Sequence, residues 1–364
     1  MTVEEYLSIQ PYSLNKDDKN RFLLETLIEL NNKHYNSCKE YKSIIDSYGL
    51  NEKKYKSIDE FFALPVRLFK NYVLKSCKDE EVIKTLTSSG TTSQVVSKIF
   101  LDRQTSEYQT KVLVKIMQNY LGKDRLPMLI IDTKSILKDR KMFSARGAGI
   151  LGLSNFGRKH TYALDDNMEI DFKIIEDFLN EYKDQKIFIF GFTFMIWQYF
   201  YTKLKEKNIK LDLSNAILIH SGGWKKLINQ SVDNNTFKKK LEEQLGVKHI
   251  HNFYGMVEQV GSIFVECEEG HLHAPIFADI IIRDAMTLEV NEFGKEGIIE
   301  VVSILPHSYP GNILLTEDLG TILGEDDCKC GRKGKYFEVK GRLAKAELRG
   351  CSDTHAFDDR TKDE

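Results

Sequence analysis

The chain has 364 residues, 41% hydrophobic and 29% charged, enough to bury a large core in more than one subdomain. Its 52 Lys+Arg against 54 Asp+Glu leave a formal net charge of -2, which excludes the electrostatic footprint of a nucleic-acid or membrane-surface binder. No stretch approaches the roughly 18 unbroken apolar residues of a membrane span, and Met1-Thr2-Val3-Glu4-Glu5 has neither the basic start nor the apolar core of a leader, so a cytoplasmic enzyme is expected.

Residues 1–84 read as a helical lobe. Phe22, Leu23, Leu27, Ile28 and Leu30 recur at helical spacing, and a second amphipathic run goes from Tyr41 to Tyr48. Ser57 to Pro65 predicts a short helix ended near the proline. Then comes Thr87-Ser88-Ser89-Gly90-Thr91-Thr92-Ser93, with Lys98 beyond it: small hydroxyl side chains around one glycine. Such a loop bends sharply and can aim several N–H and O–H donors at a single anion. The strand-like stretches Glu81–Thr85 and Ser97–Leu101 flank it, predicting a hairpin. The pattern G-x-x-x-x-G-K-[ST] is absent and no helix opens directly afterwards, so this is not a P-loop. On composition alone a plain surface turn fits equally well.

From Lys98 onward short apolar strands alternate with amphipathic helices. Ile99–Leu101 leads to a helix from about Thr105 to Tyr120, then to the strand Met128–Ile131. Ile187–Phe190 precedes a long aromatic helix through Trp197 and Tyr201, and Ala216–Ile219 ends at Ser221-Gly222-Gly223. A helix from about Asn235 to Leu245 comes before His249-Ile250-His251-Asn252-Phe253-Tyr254-Gly255. This alternation implies an α/β fold with a mostly parallel sheet flanked by helices, and such sheets bind ligands beyond the carboxyl ends of their strands. One of His249 and His251 is expected to be packed in the core. The aromatic stripe of Phe192, Phe194, Met195 and Trp197 reads as core, with a fatty pocket as the alternative.

After about residue 262 the helices fade. Ile263–Val265, Ile280–Ile282, Ile298–Val302 and Asn312–Leu315 are strand-like and separated by Gly, Asn and Pro, predicting a smaller β-rich region. Six cysteines in so long a chain, two of them in Cys328-x-Cys330, do not suggest a disulfide framework. Cys38 and Cys77 have no Cys or His nearby and read as incidental thiols. Within the cluster Cys267, His271, His273, Cys328 and Cys330, three thiolates and one imidazole are enough to close a tetrahedral structural zinc site, the alternative being reduced cysteines without metal. The last residues, Ser352 to Glu364, read as a polar tail.

Taken together, these landmarks resemble the adenylate-forming enzymes that activate a carboxylate with ATP. Thr87 to Lys98 resembles their phosphate loop, with Ser93 where a glycine is usual and no proline before the lysine. Ser221-Gly222-Gly223-Trp224 resembles the adenine-side glycine loop and Tyr254-Gly255-Met256-Val257-Glu258 the Tyr-Gly-x-Thr-Glu element, while Asp318 and Gly341-Arg342 resemble the ribose-binding aspartate and the hinge. Within that superfamily the chain is most similar to the acyl-protein synthetase branch, the luciferin-component ligase type of bacterial fatty acid reductase complexes, with phenylacetate-CoA ligases as relatives. The Ser-Ser-Gly-Thr-Thr-Ser loop, the run Cys328 to Arg332, and Arg349-Gly350-Cys351 carry that likeness.

The resemblance implies a large N-terminal domain of the adenylate-forming type with the C-terminal lid truncated or absent. It divides the chain into a helical lobe (1–84), a nucleotide-binding core (85–261), a β-rich subdomain (262–340), and a hinge and tail (341–364) bearing Cys351. It implies ATP and Mg2+ as cofactors: Ser88, Ser89, Gly90, Thr91, Thr92 and Lys98 at the phosphates, Glu258 on Mg2+, Ser221, Gly222 and Gly223 toward adenine, Tyr254 and Gly255 at the nucleotide, Asp318 at the ribose, and Arg342 at the ribose or a phosphate. Cys351 is implied as the thiol that takes the acyl group from acyl-AMP and delivers it to an acyl reductase or another acceptor protein. By likeness to the phenylacetate-CoA ligases, the zinc set is Cys267, His273, Cys328 and Cys330. Two rival expectations are a CoA-thioester-forming ligase and, because no lysine clearly replaces the usual lid lysine, a non-catalytic adenylate-binding protein.

Overall fold

The computed structural model describes residues 3–88, 96–137, 145–224 and 231–343. By their contacts these fall into two units, residues 3–88, 96–119 and 255–343 in the first and residues 120–137, 145–224 and 231–254 in the second.

After a short helix, Val3–Tyr6, the first unit forms the helix Lys16–Ser37, whose N-terminus is capped by the Asn15 side chain accepting from the Asp18 amide at 3.0 Å. Asp17 and Asp18 place negative charge against the positive end of the helix dipole. One face buries Phe22, Leu23, Leu27 and Leu30, and the next helix, Lys39–Ser47, buries Tyr41 and Ile45. Where the sequence predicts a short helix over Ser57–Pro65, the chain makes a single 3-10 turn, Ile58–Glu60, and then a two-residue strand, β1 (Leu64–Pro65). Proline has no amide hydrogen to extend a helix, and the segment is too short to supply a helical ladder. The hairpin expected around the hydroxyl loop is present as β2 (Lys84–Thr87) paired antiparallel with β3 (Lys98–Leu101).

The second unit is built on five parallel strands: β4 (Leu126–Thr133), β5 (Gly157–Leu164), β6 (Ile187–Phe192), β7 (Ala216–Ser221) and β8 (His249–Tyr254). They lie in the order β5-β4-β6-β7-β8. β6 is buried along its whole length and β4 along all but its first residue, as continuous apolar runs require in a sheet covered on both faces. The intervening helices are Ala145–Ser154, Phe172–Tyr182, the stretch 193–206 with a π-helical middle at Ile196–Tyr201, and Asn234–Leu245. The last is capped by Asp233 and ended by Gly246 at a φ of 72°, a left-handed position that favours glycine. Phe192, Met195 and Trp197 are buried and Phe194 is half-buried, so the aromatic stripe is largely core. Of the two alternating histidines, His251 is buried and His249 exposed.

The rest of the first unit is antiparallel: β9 (Phe264–Glu266), β10 (Leu272–His273), β11 (Ala278–Arg283), β12 (Gly297–Ser303), β13 (Ile313–Glu325) and β14 (Lys335–Arg342), in the order β11-β12-β13-β14-β10-β9. β1 runs parallel to β13. The helix Lys16–Ser37 is tied to this sheet by a buried charge cluster: Lys19 Nζ lies 3.1 Å from Asp279 Oδ1, and Lys335 Nζ lies 2.7 Å from Asp279 Oδ2. Among the described residues no helix is long and apolar enough to cross a membrane.

Candidate active site and metal centre

The two ends of the hydroxyl loop are clamped. Thr87 pairs with Lys98 in the β2–β3 register, the Ser88 amide donates to Ser97 O at 3.1 Å, and the Ser97 amide donates to Ser88 Oγ at 2.9 Å. Ser89, Gly90, Thr91 and Thr92, with Ser93, lie outside the described residues. Lys98 is exposed while Ile99 and Leu101 are buried, so the alternation of β3 turns the lysine away from the core. Ser97, at 1% exposure, points its hydroxyl inward.

That buried hydroxyl has no hydrogen-bond partner among the described residues, and it lies close enough to Glu258, on the 3-10 turn Val257–Gln259, to lower the carboxyl pKa. Glu258 is buried, and burial raises its carboxyl pKa; the Ser97 hydroxyl and the positive charges of Lys70 and Arg342 pull the other way. Arg342 also reaches Asp318. The two residues are register partners on β14 and β13, and Arg342 Nε lies 3.1 Å from Asp318 Oδ1. The Asp318 amide donates to Thr316 Oγ1 at 3.1 Å, and that hydroxyl donates to Ile299 O at 2.7 Å, so the backbone beneath the aspartate is fixed. Within the first unit, therefore, the base of the hydroxyl hairpin, Glu258, Arg342 and Asp318 form one electrostatic neighbourhood.

The second unit holds the other glycine loop. Ser221 ends β7 and its hydroxyl donates to Phe253 O on β8 at 2.9 Å. Gly222 has a φ of 85°, and a Cβ there would lie 3.2 Å from the Phe192 ring. A side chain at this position would be both strained and crowded. Nothing lies within 4 Å of where a Cβ at Gly223 would be. Tyr254 closes β8 in this unit, and Gly255 follows it in the first unit, where a Cβ would meet Ile263 at 3.1 Å.

Several polar groups at these strand ends carry no resemblance and escape a reading by motif. His220 Nδ1 is 2.9 Å from Thr193 Oγ1, and burial pushes the His220 pKa down to about 3. Arg146 Nε is 3.0 Å from Asp132 Oδ2 with both side chains sealed from solvent. Burial raises the Asp132 pKa to about 6 against the pull of Arg146. The signal that could have found them is a polar residue at the end of an otherwise apolar strand: Asp132 after Ile130-Ile131, and His220 after Ile217-Leu218-Ile219. Ser97 gives only a weaker hint, as the residue before Lys98.

A separate cluster forms on the antiparallel sheet. Cys267 and His273 flank the tight turn between β9 and β10, closed by the Cys267 amide donating to His271 O at 2.8 Å, with Gly270 at a φ of 84°. Cys328 and Cys330 sit on a second turn, where the Gly331 amide donates to Cys328 O at 3.0 Å. The ligand atoms of Cys267, His273, Cys328 and Cys330 all lie within 4.8 Å of one another. Cys267 Sγ is 3.9 Å from Cys328 Sγ, and Cys330 Sγ is 3.3 Å from His273 Nε2. Tetrahedral Zn–S and Zn–N bonds of about 2.3 and 2.0 Å imply edges of roughly 3.5–3.8 Å, so these donors fit zinc in both chemistry and spacing. His271 stands outside the four, its ring stacked on Tyr336 and its Nδ1 3.5 Å from Cys328 Sγ. Cys351 lies outside the described residues.

The family model for acyl-protein synthetase, LuxE, matches residues 3–357 of the chain. The chain belongs to that family. It is 25% identical over 332 residues to the long-chain-fatty-acid–luciferin-component ligase of Aliivibrio fischeri, spanning 88% of this chain and 84% of that protein. The ligase of the same description from Vibrio harveyi is also 25% identical, over 88% of this chain and 83% of its own length. Among solved structures, an open conformation of 2-hydroxyisobutyryl-CoA ligase in complex with 2-HIB-AMP and CoA superposes with a TM-score of 0.69 at 12% identity, covering 92% of this chain and 72% of that one. That likeness establishes the adenylate-forming fold. The LuxE-family chain is thus an AMP-forming ligase that activates a carboxylic acid with ATP and passes the acyl group on.

Proposed function

We propose that this LuxE-family ligase activates a fatty acid, loads the acyl group onto Cys351 and hands it to an acyl reductase or another acyl-acceptor protein. The choice of a fatty acid rests on the names of the two curated ligases. The observation that carries the nucleotide site is the clamp of Ser88 on Ser97, with the Ser97 hydroxyl beside a buried Glu258 that also feels Arg342, itself paired with Asp318.

In the first step a carboxylate oxygen attacks the α-phosphorus of ATP. A C–O–P bond forms, the Pα–O–Pβ bond breaks and pyrophosphate leaves. Two anions must approach for this, so cations and fixed donors are needed at the phosphates. Ser88, Ser89, Gly90, Thr91, Thr92 and Lys98 would take the phosphates, Glu258 would hold Mg2+ through oxygen, Asp318 would accept from the ribose hydroxyls, and Arg342 would donate to the ribose or a phosphate. Ser221, Gly222 and Gly223 would serve the adenine, and Tyr254 and Gly255 are further candidates for nucleotide binding. In the second step the Cys351 thiolate attacks the mixed-anhydride carbonyl, a C–S bond forms and AMP leaves. Arg349, two residues before the thiol, would favour the thiolate. Cys267, His273, Cys328 and Cys330 would together fill the four positions of a bound zinc, which would then serve structure rather than catalysis.

The test is ATP–pyrophosphate exchange across acids of increasing chain length, with a radiolabelled acid chased through denaturation. Exchange that peaks with fatty acids, together with a denaturation-stable label lost in Cys351→Ala, is the expected result. Undiminished labelling in that variant would remove Cys351 from the pathway, and exchange with no acid of the series would defeat the substrate assignment.

A further inference from the structure

Glu258 sits on a turn of three residues, Val257–Gln259, which closes with a 3.2 Å bond from the Gln259 amide to Met256 O. So short a turn has no ladder of its own to fix the direction of its side chains. The restraint comes from the loop 304–312, between β12 and β13. Tyr309 is fully buried, and its hydroxyl donates to the main-chain oxygen of Glu258 at 2.9 Å. Gln109 Nε2 lies 3.4 Å from the same hydroxyl. On the other side, Gln259 Nε2 donates to Gly311 O at 2.8 Å and lies 3.2 Å from both Val301 O and Asn312 O. Gly311 is the residue that lets the chain pass, since a Cβ there would lie 2.2 Å from Tyr309 Cε2 and 2.9 Å from Glu258 O.

The same loop grips the strand that leaves the hydroxyl loop. Ser308 Oγ donates to Phe100 O on β3 at 2.7 Å, and Ser308 O accepts from the Ser76 amide at 2.7 Å. Adjacent residues, Ser308 and Tyr309, thus hold β3, which begins directly after Ser97, and the turn that carries the Glu258 carboxylate.

We propose that Tyr309 is a positioning residue: through its bond to Glu258 O, and with Ser308 on β3, it sets where the Glu258 carboxylate stands relative to the base of the hydroxyl loop. The proposal rests on Glu258 as the Mg2+-holding group. Tyr309→Phe removes only the hydroxyl and keeps the ring that fills the core. Freed from its anchor, the turn presents the carboxylate in several directions, so the Mg2+ concentration at half-maximal ATP–pyrophosphate exchange rises roughly threefold to tenfold, the equivalent of one ordinary hydrogen bond. Saturating Mg2+ restores most of the exchange. Gln109→Met, which leaves the Tyr309 hydroxyl in place and removes one of its partners, shifts the same midpoint by less and serves if Tyr309→Phe does not fold. A lowered melting temperature in either folded variant with an unmoved Mg2+ midpoint would overturn the proposal, since packing alone predicts that pattern. Glu258→Gln separates the two layers. If it exchanges like the parent with the same Mg2+ dependence, the assignment of Glu258 itself fails; if it loses Mg2+-dependent exchange while Tyr309→Phe and Gln109→Met leave the midpoint unmoved, only the role given to Tyr309 fails.

Discussion

Replacing Asp279 by asparagine should cost far more stability than removing either lysine it serves. Asp279 is fully buried. Burial alone would raise its pKa, but Lys19 and Lys335 outweigh that and hold the carboxyl below the usual range, so it is charged in the folded chain. Lys19 is also sealed, with 2% of its side chain exposed, and its Nζ lies 3.1 Å from Asp279 Oδ1 and 3.3 Å from Ala274 O. Without the carboxylate, Lys19 must stay buried and charged next to Lys335 or give up its proton. Breaking a buried pair by removing one partner costs about 3–5 kcal/mol. Neutralising a lysine of pKa about 10.4 at pH 7 costs about 4.6 kcal/mol, which caps the penalty at a similar value. For a unit of this size that corresponds to a fall of roughly 6–20 °C in melting temperature. Lys19→Met, by contrast, leaves Asp279 with Lys335 at 2.7 Å and should cost about 1 kcal/mol. The sign of the pH dependence follows from linkage: a buried Lys19 with a depressed pKa binds fewer protons than in the unfolded chain, so Asp279→Asn regains stability as pH rises. Scanning calorimetry at pH 7 and pH 9 measures both effects. Equal losses for the aspartate and lysine variants, or a gap to the parent that does not narrow at pH 9, would refute the reasoning.

Two further outcomes are expected. The purified chain should carry one zinc per molecule by metal analysis, and Cys330→Ser or a strong chelator should remove it and lower the melting temperature; a metal-free chain whose melting does not respond to zinc would count against the site. Buried histidines should make the fold acid-sensitive. Burial pushes His34 and His220 down to about 3 and His307 to about 4, whereas the unfolded chain protonates histidine near pH 6.5. The stability they provide is complete above pH 6.5 and drains as pH falls toward 3, by about 1 kcal/mol for each histidine by pH 5.5. His34→Gln should flatten the melting-temperature profile between pH 6.5 and 5, and an unchanged slope would exclude His34 as a contributor.

How much of this was legible in the sequence depended on whether a feature is local. Met128–Ile131, Ile187–Phe190 and Ala216–Ile219 announce themselves because strands buried on both faces must be apolar throughout. β5, with Arg158, Lys159 and His160 on the sheet's edge, and β14, interrupted by register shifts against β13, carry no such run and pass unread. The helix Ala145–Ser154 is hidden by three glycines, at 147, 149 and 152. The metal cluster could be read because thiols and imidazoles are rare and sit on two glycine-bearing turns. The restraint on Glu258 could not: Gln109 and Tyr309 look like ordinary polar residues, far in sequence from Glu258, and only the tertiary fold joins the three. The same holds for Lys19 and Asp279, 260 positions apart.

The two carboxylates of the proposed nucleotide site differ in a way that residue type does not reveal. Asp318 is partly exposed and shares one oxygen with Arg342 in an ion pair of the kind worth about 0–1 kcal/mol. A carboxylate can accept several hydrogen bonds, and a partly exposed ion pair of this kind is cheap to rearrange around ribose hydroxyls. Glu258 is in the opposite situation. Burial makes its charge costly, and the Ser97 hydroxyl, Lys70 and Arg342 offset that only in part, since its pKa stays raised. A divalent cation bound with ATP would supply the missing compensation, so ionisation of Glu258 and metal binding favour each other. On this reasoning burial, rather than the choice between aspartate and glutamate, assigns one group to hydrogen bonding and the other to Mg2+. It also explains why the Glu258 turn needs external anchors while the Asp318 backbone, already held in a β-ladder, does not.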